Sequence, residues 1–118
     1  MTKLPPTLRI GPYDYKLILV DKIQDEGERE DWGKYEYCKL TITISKDQPN
    51  QLFAADTVLH EILHAIYTHA GIQPVTPEEG ICSALATGLI QVFRDNPKLL
   101  AWVAASTKKR STLCDWRR

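Results

Sequence analysis

The first part of the chain alternates between apolar and polar positions with a period of two, and from about Gln51 the period lengthens to that of a helix. Tyr13 to Val20, YDYKLILV, is rich in aromatic and β-branched residues and follows Gly11-Pro12, so it reads as a strand entered through a turn. Tyr35 to Ser45, YEYCKLTITIS, alternates clearly from Lys39 onward. Leu40, Ile42 and Ile44 fall on one side, and Thr41, Thr43 and Ser45 on the other. That pattern predicts a half-buried strand at a sheet edge. The acidic run QDEGERED, with Gly27 inside it, reads as a solvated turn between the strands.

Asp47 to Asn50, DQPN, breaks the alternation, and a helix is expected from about Gln51 to Ala70, stopped by Gly71. Pro74 and Pro77 keep the next residues extended. Thr76 is positioned to cap a second helix, with Pro77 at its first position, Glu78 and Glu79 in its first turn, and an end near Arg94. Asp95 or Asn96 with Pro97 starts a short third helix, PKLLAWVAAS. The remainder, residues 107–118, is a basic tail expected to fray, although Trp116 offers a group that can dock. Strand periods first and helical periods afterwards predict one small α+β domain: a short N-terminal sheet packed on the first helix, with two further helices completing the core.

Composition narrows the function classes. A chain of 118 residues holds one core. Lys plus Arg and Asp plus Glu both number 15, which argues against a general nucleic-acid binder. The apolar stretches are interrupted before membrane-spanning length, and MTKLPPTLRI has no apolar core of signal-peptide length. A cytoplasmic protein is expected. Cys38, Cys82 and Cys114 are widely spaced and form no CxxC, so reduced thiols packed as small hydrophobes are expected rather than a disulfide framework or a sulfur-ligated zinc.

Within the first helix lies VLHEILHA, which contains the HExxH of His60, Glu61 and His64. Two residues four apart on a helix stand about 40° apart around the axis, so one zinc can bridge both rings. Ala55, Val58, Leu59, Ile62, Leu63, Ile66 and Ala70 form the apolar stripe, while Asp56, Thr57, His60, Glu61, His64 and Thr68 share the polar arc. A histidine serving the core belongs on the stripe, where His69 falls, so His69 reads as packed. Glu61 stands too far round to chelate comfortably with both rings. Its carboxylate suits a general base that takes the proton of a water held by the metal as that water attacks a carbonyl. A catalytic zinc also requires a third protein ligand, and Glu78 and Glu79 are the acids that follow; either can instead serve the helix dipole alone.

HEILHAIY, the Gly-Pro turn and PEEGICSALATGLIQVFRDNP together resemble the minimal zincins of the gluzincin type, in particular small single-domain metallopeptidase-like proteins encoded by phages and prophages. Gly33 with Ile42 and Ile44 also matches the hairpin pattern of such proteins. The resemblance spans about Leu8 to Trp102, with HExxH and the glutamate helix as its discriminating core. It implies a zincin-like fold, Zn2+ as cofactor, a peptide or protein substrate and a glutamate opening the following helix as third ligand. Counting from Glu79, the large apolar residue expected six positions on is Leu85, but Ser83 stands where an acid often braces a ligand histidine. Counting from Glu78 gives Cys82 and Ala84. The comparison favours His60, His64 and Glu79 as ligands over a set with Glu78. It further implies that a sheet edge pairs with substrate, for which Lys39 to Ser45 is the candidate strand. Tyr67 is the best-placed tyrosine for oxyanion stabilisation.

Three functions remain in competition. The leading one is a zinc metallopeptidase acting through Glu61, in the host cytoplasm if the protein is phage-encoded. The second is a zinc-holding regulatory or interaction protein without turnover. The third is a helical protein whose motif is coincidental. Substrate identity and oligomeric state are not written in the sequence.

Overall fold

Gly11 and Pro12 fold the N-terminus into a hairpin, with Gly11 at φ +59°, a left-handed conformation that glycine adopts without Cβ strain. The computed structural model describes residues 3–24, 30–108 and 116–117. The hairpin strands are β1 (Thr7–Ile10) and β2 (Tyr13–Val20), paired antiparallel with Ile10 opposite Tyr13. Two short strands, β3 (Ile23–Gln24) and β4 (Glu30–Asp31), pair with each other around the acidic run, of which residues 25–29 lie outside the described residues. Then β5 (Gly33–Glu36) and β6 (Thr41–Ser45) form a second hairpin. β6 also pairs parallel with β2, Lys16 opposite Thr41 and Val20 opposite Ser45. The main sheet is therefore ordered β1-β2-β6-β5.

This order corrects two expectations. The segment from Tyr35 to Ser45 is not one strand, because it turns back at Tyr37–Leu40. Leu40, expected to lie in line with Ile42 and Ile44, is the turn residue and takes φ +47°. Such a conformation is strained for a side chain with Cβ. It is held by backbone bonds from Leu40 N–H to the Tyr37 carbonyl and from Lys16 N–H to the Leu40 carbonyl, and the side chain packs against the core. The Lys39 to Ser45 segment is not a sheet edge either. β6 lies between β2 and β5, and Thr41 and Ser45 are buried along with Ile42 and Ile44. The edge strands are β1 and β5.

Three helices follow: α1 (Gln51–His69), α2 (Glu78–Asp95) and α3 (Pro97–Ser106). Asn50 caps α1 by accepting the Phe53 N–H at 2.9 Å, and Gly71 leaves it at φ +67°. Thr76 does not cap α2; its hydroxyl accepts the Gln73 N–H, and Pro77 stands at the N-cap without a side-chain bond. Leu8, Ile10, Tyr15, Leu17, Ile42 and Ile44 from the sheet meet Ala54, Val58, Ile62 and Ala65 of α1. Val92, Leu99 and Trp102 extend this core through α2 and α3. α2 approaches α1 closely because Gly88 has no side chain: a Cβ there would stand 2.4 Å from the Ile66 Cγ2. In the tail, residues 109–115 lie outside the described residues, but Trp116 docks, its ring 6.1 Å from that of Trp102 and its carbonyl accepting the Leu4 N–H. No helix among the described residues is long and apolar enough to cross a membrane.

Candidate functional site

His60 and His64 emerge from α1 one turn apart, and their rings converge. The two Nε2 atoms are 3.2 Å from each other, with ring centroids at 4.8 Å. Two imidazoles on one tetrahedral zinc, each with a bond of ~2.0–2.1 Å, place their ligating nitrogens about 3.3 Å apart. The spacing thus fits a shared metal ion. Both rings are exposed.

Glu61 differs from its neighbours. It was expected on the polar arc, yet it is only 6 % exposed, because the buried face of α1 extends past Ala54 and Ala65 to include Thr57 and Glu61. β5 covers this seam. A Cβ on Gly33 would come within 2.8 Å of the Thr57 Cγ2 and 3.0 Å of the Glu61 Oε2, so only glycine lets the strand backbone lie here. The Glu61 Oε2 stands 3.9 Å from the His60 Nε2. That separation places the carboxylate beside the convergence point of the rings rather than in it. Thr57 donates to the Gln48 Oε1 and the Phe53 carbonyl, which fixes the seam from the other side.

The His64 ring is backed by Tyr35 of β5, nearly parallel at 11° with centroids 6.2 Å apart. The Tyr35 hydroxyl meets the Tyr15 hydroxyl at 3.2 Å, and Tyr15 in turn meets the His69 Nε2 at 2.7 Å. His69 is packed, as the apolar stripe implies, with the rings of Tyr13, Tyr15 and Tyr37 around it. Burial lowers its pKa from the usual histidine value. Burial, then the hydrogen bond with Tyr35, pushes the Tyr15 phenol up. The two hydroxyls and the imidazole therefore form a hydrogen-bonded chain that anchors Tyr35 against His64.

The second helix does not bring its acids to this pair. Glu78 and Glu79 are exposed in its first turn. α2 meets α1 at Gly88, nine residues after Glu79, which is about 13 Å along the helix and half a turn round it. Among the described residues no three His, Cys, Asp or Glu side chains come together as a metal site. Ser83 and Ala84 line a different groove, with Ile10, Ile66 and His69, so Ser83 braces neither histidine of the pair. Leu85 packs on the core. Tyr67 is exposed on α1. Cys38 and Cys82 are free but exposed, not packed as expected, and Cys114 lies outside the described residues.

Comparison of the chain with known protein families, curated proteins and solved structures finds no match. Sequence reasoning singled out Gly33 only as part of a hairpin pattern and missed Tyr35, which backs His64, and Trp32 and Phe53, which with Gly33 line a cleft beside His60 and Glu61. Phe53, Asp56, Thr57, His60 and Glu61 follow one another at helical spacing, and that run was the available signal.

Proposed function

We propose that the protein is a zinc-dependent hydrolase of peptide bonds, a minimal gluzincin of the phage-encoded type that works in the cytoplasm. The observation that supports this reading is the convergence of the His60 and His64 Nε2 atoms at 3.2 Å beside the buried Glu61 carboxylate. Zinc, when bound, supplies a Lewis acid that acidifies water and polarises a carbonyl. His60 and His64 hold the metal, and Tyr35 keeps the His64 ring in its plane. Glu61 accepts the proton of the attacking water and returns it to the leaving nitrogen. β5, the edge strand above α1, is where an extended peptide adds to the sheet. Glu79 joins the ligand set only through a movement of the first turn of α2. Glu79→Ala reads that movement: zinc binding weakened tenfold or more assigns the ligand, and unchanged binding leaves the metal to the histidines.

One observation favours a second reading. Because no third ligand among the described residues stands with the pair, a metal-holding interaction protein without turnover also fits. Glu61→Gln separates the two. In the hydrolase the variant keeps its zinc and loses peptide hydrolysis by roughly 10²-fold. In the interaction protein, wild type and variant both bind metal and neither turns over a peptide library. Loss of zinc from both His60→Ala and His64→Ala is expected; retention in both would refute the metal site itself.

A further inference from the structure

Between α1, α2 and the turn of the N-terminal hairpin opens a groove of about 510 Å³. That volume lies within the range of small-molecule sites. We propose that this groove is a binding site for a small uncharged molecule with an apolar body and a hydroxyl or amide end. The proposal stands apart from the hydrolase reading, because the groove borders the α2 flank of α1 whereas Tyr35 of β5 backs His64.

The walls are fixed before a ligand arrives. The Gly11 N–H donates to the Gln91 Oε1 at 2.8 Å and the Gln91 Nε2 donates to the Arg9 carbonyl, which ties the hairpin to α2 along one rim. Gly88 lets α2 rest on Ile66 of α1, and His69 is held by the Tyr15 hydroxyl at 2.7 Å. A site already shaped binds without the cost of ordering its walls. The lining also selects against charge. Ile10, Pro12, Ile66, Ala70 and Ala84 supply apolar surface, and no Asp, Glu, Lys or Arg lines the groove. Burial lowers the His69 pKa, so that ring is neutral at pH 7.5. Every lining residue is described, and none adjoins residues 25–29 or 109–115. A charged guest gives up hydration here without gaining a partner.

The polar end is read from α2. Thr57, Thr68 and Ser106, hydroxyls on the other helices, each donate to the carbonyl four residues back. Ser83 and Thr87 line the groove and do not; among the described residues neither hydroxyl has a hydrogen-bond partner. Four residues apart, they share one face of α2 within about 6 Å, so a single ligand hydroxyl can accept from one and donate to the other.

Titration of the isotopically labelled full chain with indole-3-ethanol, indole-3-acetate and tryptamine, followed by amide chemical shifts at pH 7.5, tests this without metal or turnover. Indole-3-ethanol should shift the amides of Gly11, Ala70, Ser83 and Gly88 and saturate with a Kd on the order of 1 mM. The anion and the cation should each bind about fivefold more weakly. Ser83→Ala combined with Thr87→Val removes both hydroxyls and keeps the shape, and should weaken indole-3-ethanol about fivefold, the worth of one net hydrogen bond. Thr87→Trp, at an exposed lining position, should fill the groove and abolish the shifts, with far-ultraviolet circular dichroism checking that the variant folds. Absence of saturable shifts at these amides up to about 10 mM overturns the site, as does binding that survives in folded Thr87→Trp. Equal affinity for the three probes overturns the selection against charge, and unchanged affinity in the variant without hydroxyls overturns the polar end.

Discussion

Gly33 has no freedom to carry a side chain, because any Cβ would press on Thr57 and on the Glu61 carboxylate. Gly33→Ala therefore either lifts β5 or turns Glu61 aside. The expected cost is about 1–3 kcal/mol of stability from overpacking, read by denaturant titration, with peptide hydrolysis falling more than zinc binding. A variant as active as wild type would show that Glu61 tolerates displacement. His69 gives a pH signature at the same scale. Its folded pKa lies below the unfolded value of about 6.5, so below that pH the unfolded chain takes up more protons than the folded one. Stability is full above pH 6.5 and declines as the pH falls from there toward the folded pKa. Urea midpoints at pH 7.5 and 5.5 should drop more in wild type than in His69→Gln. Sequence pattern placed His69 on the packed side and set His60 beside His64. It did not reveal the burial of Glu61, because an arc on a helical wheel does not say how far a neighbouring strand reaches over it.

Elements show a different balance. β2 and the three helices follow from apolar periods and from Gly11, Asn50, Gly71 and Pro97, which act within a few residues of themselves. The centre of the sheet does not follow in this way. Alternation in TITIS suggested one wet face, but β6 is paired on both sides and Thr41 and Ser45 are buried with the isoleucines, an outcome set by β2 more than twenty residues away. The two edges are also unlike. On β1, the Arg9 N–H donates to the Asn96 Oδ1 and the Arg9 carbonyl accepts from the Asn96 Nδ2, both at 2.8 Å. The Gly11 N–H donates to the Gln91 Oε1, and the Gln91 Nε2 reaches the Arg9 carbonyl. Asn96 also donates to the Val92 carbonyl. Removing its amide in Asn96→Ala forfeits three bonds at about 1 kcal/mol each, so a loss of roughly 2–4 kcal/mol is expected in equilibrium unfolding. A loss below 0.5 kcal/mol would mean that water replaces the amide without penalty.

At the scale of the molecule, the chain closes on itself through its last described residues. Trp116 is 3 % exposed, against Trp102, and its carbonyl holds Leu4, so Leu4 and Trp116 share one corner of the core. A basic composition made this tail look frayed, and only the lone aromatic ring hinted otherwise. Trp116→Ala should cost about 3–5 kcal/mol, the range for a large aromatic removed from a core. A melting temperature within a degree or two of wild type would show that the tail contributes little. The candidate site draws on two elements that only β6 separates along the chain. Gly33 and Tyr35 come from the sheet and His60 to His64 from the first helix, so its assembly depends on β5 being laid across α1.

The amides of Gln91 and Asn96 act as a cover on one border of the sheet, and that cover has a consequence for crowding. A foreign strand can add at β1 only by first displacing four side-chain bonds, whereas β5 presents the other border. Two molecules that join their main sheets without disturbing those bonds would meet across β5, the strand whose Tyr35 backs His64. Self-association by that route and turnover exclude each other, and specific activity should decline with protein concentration wherever such pairing occurs.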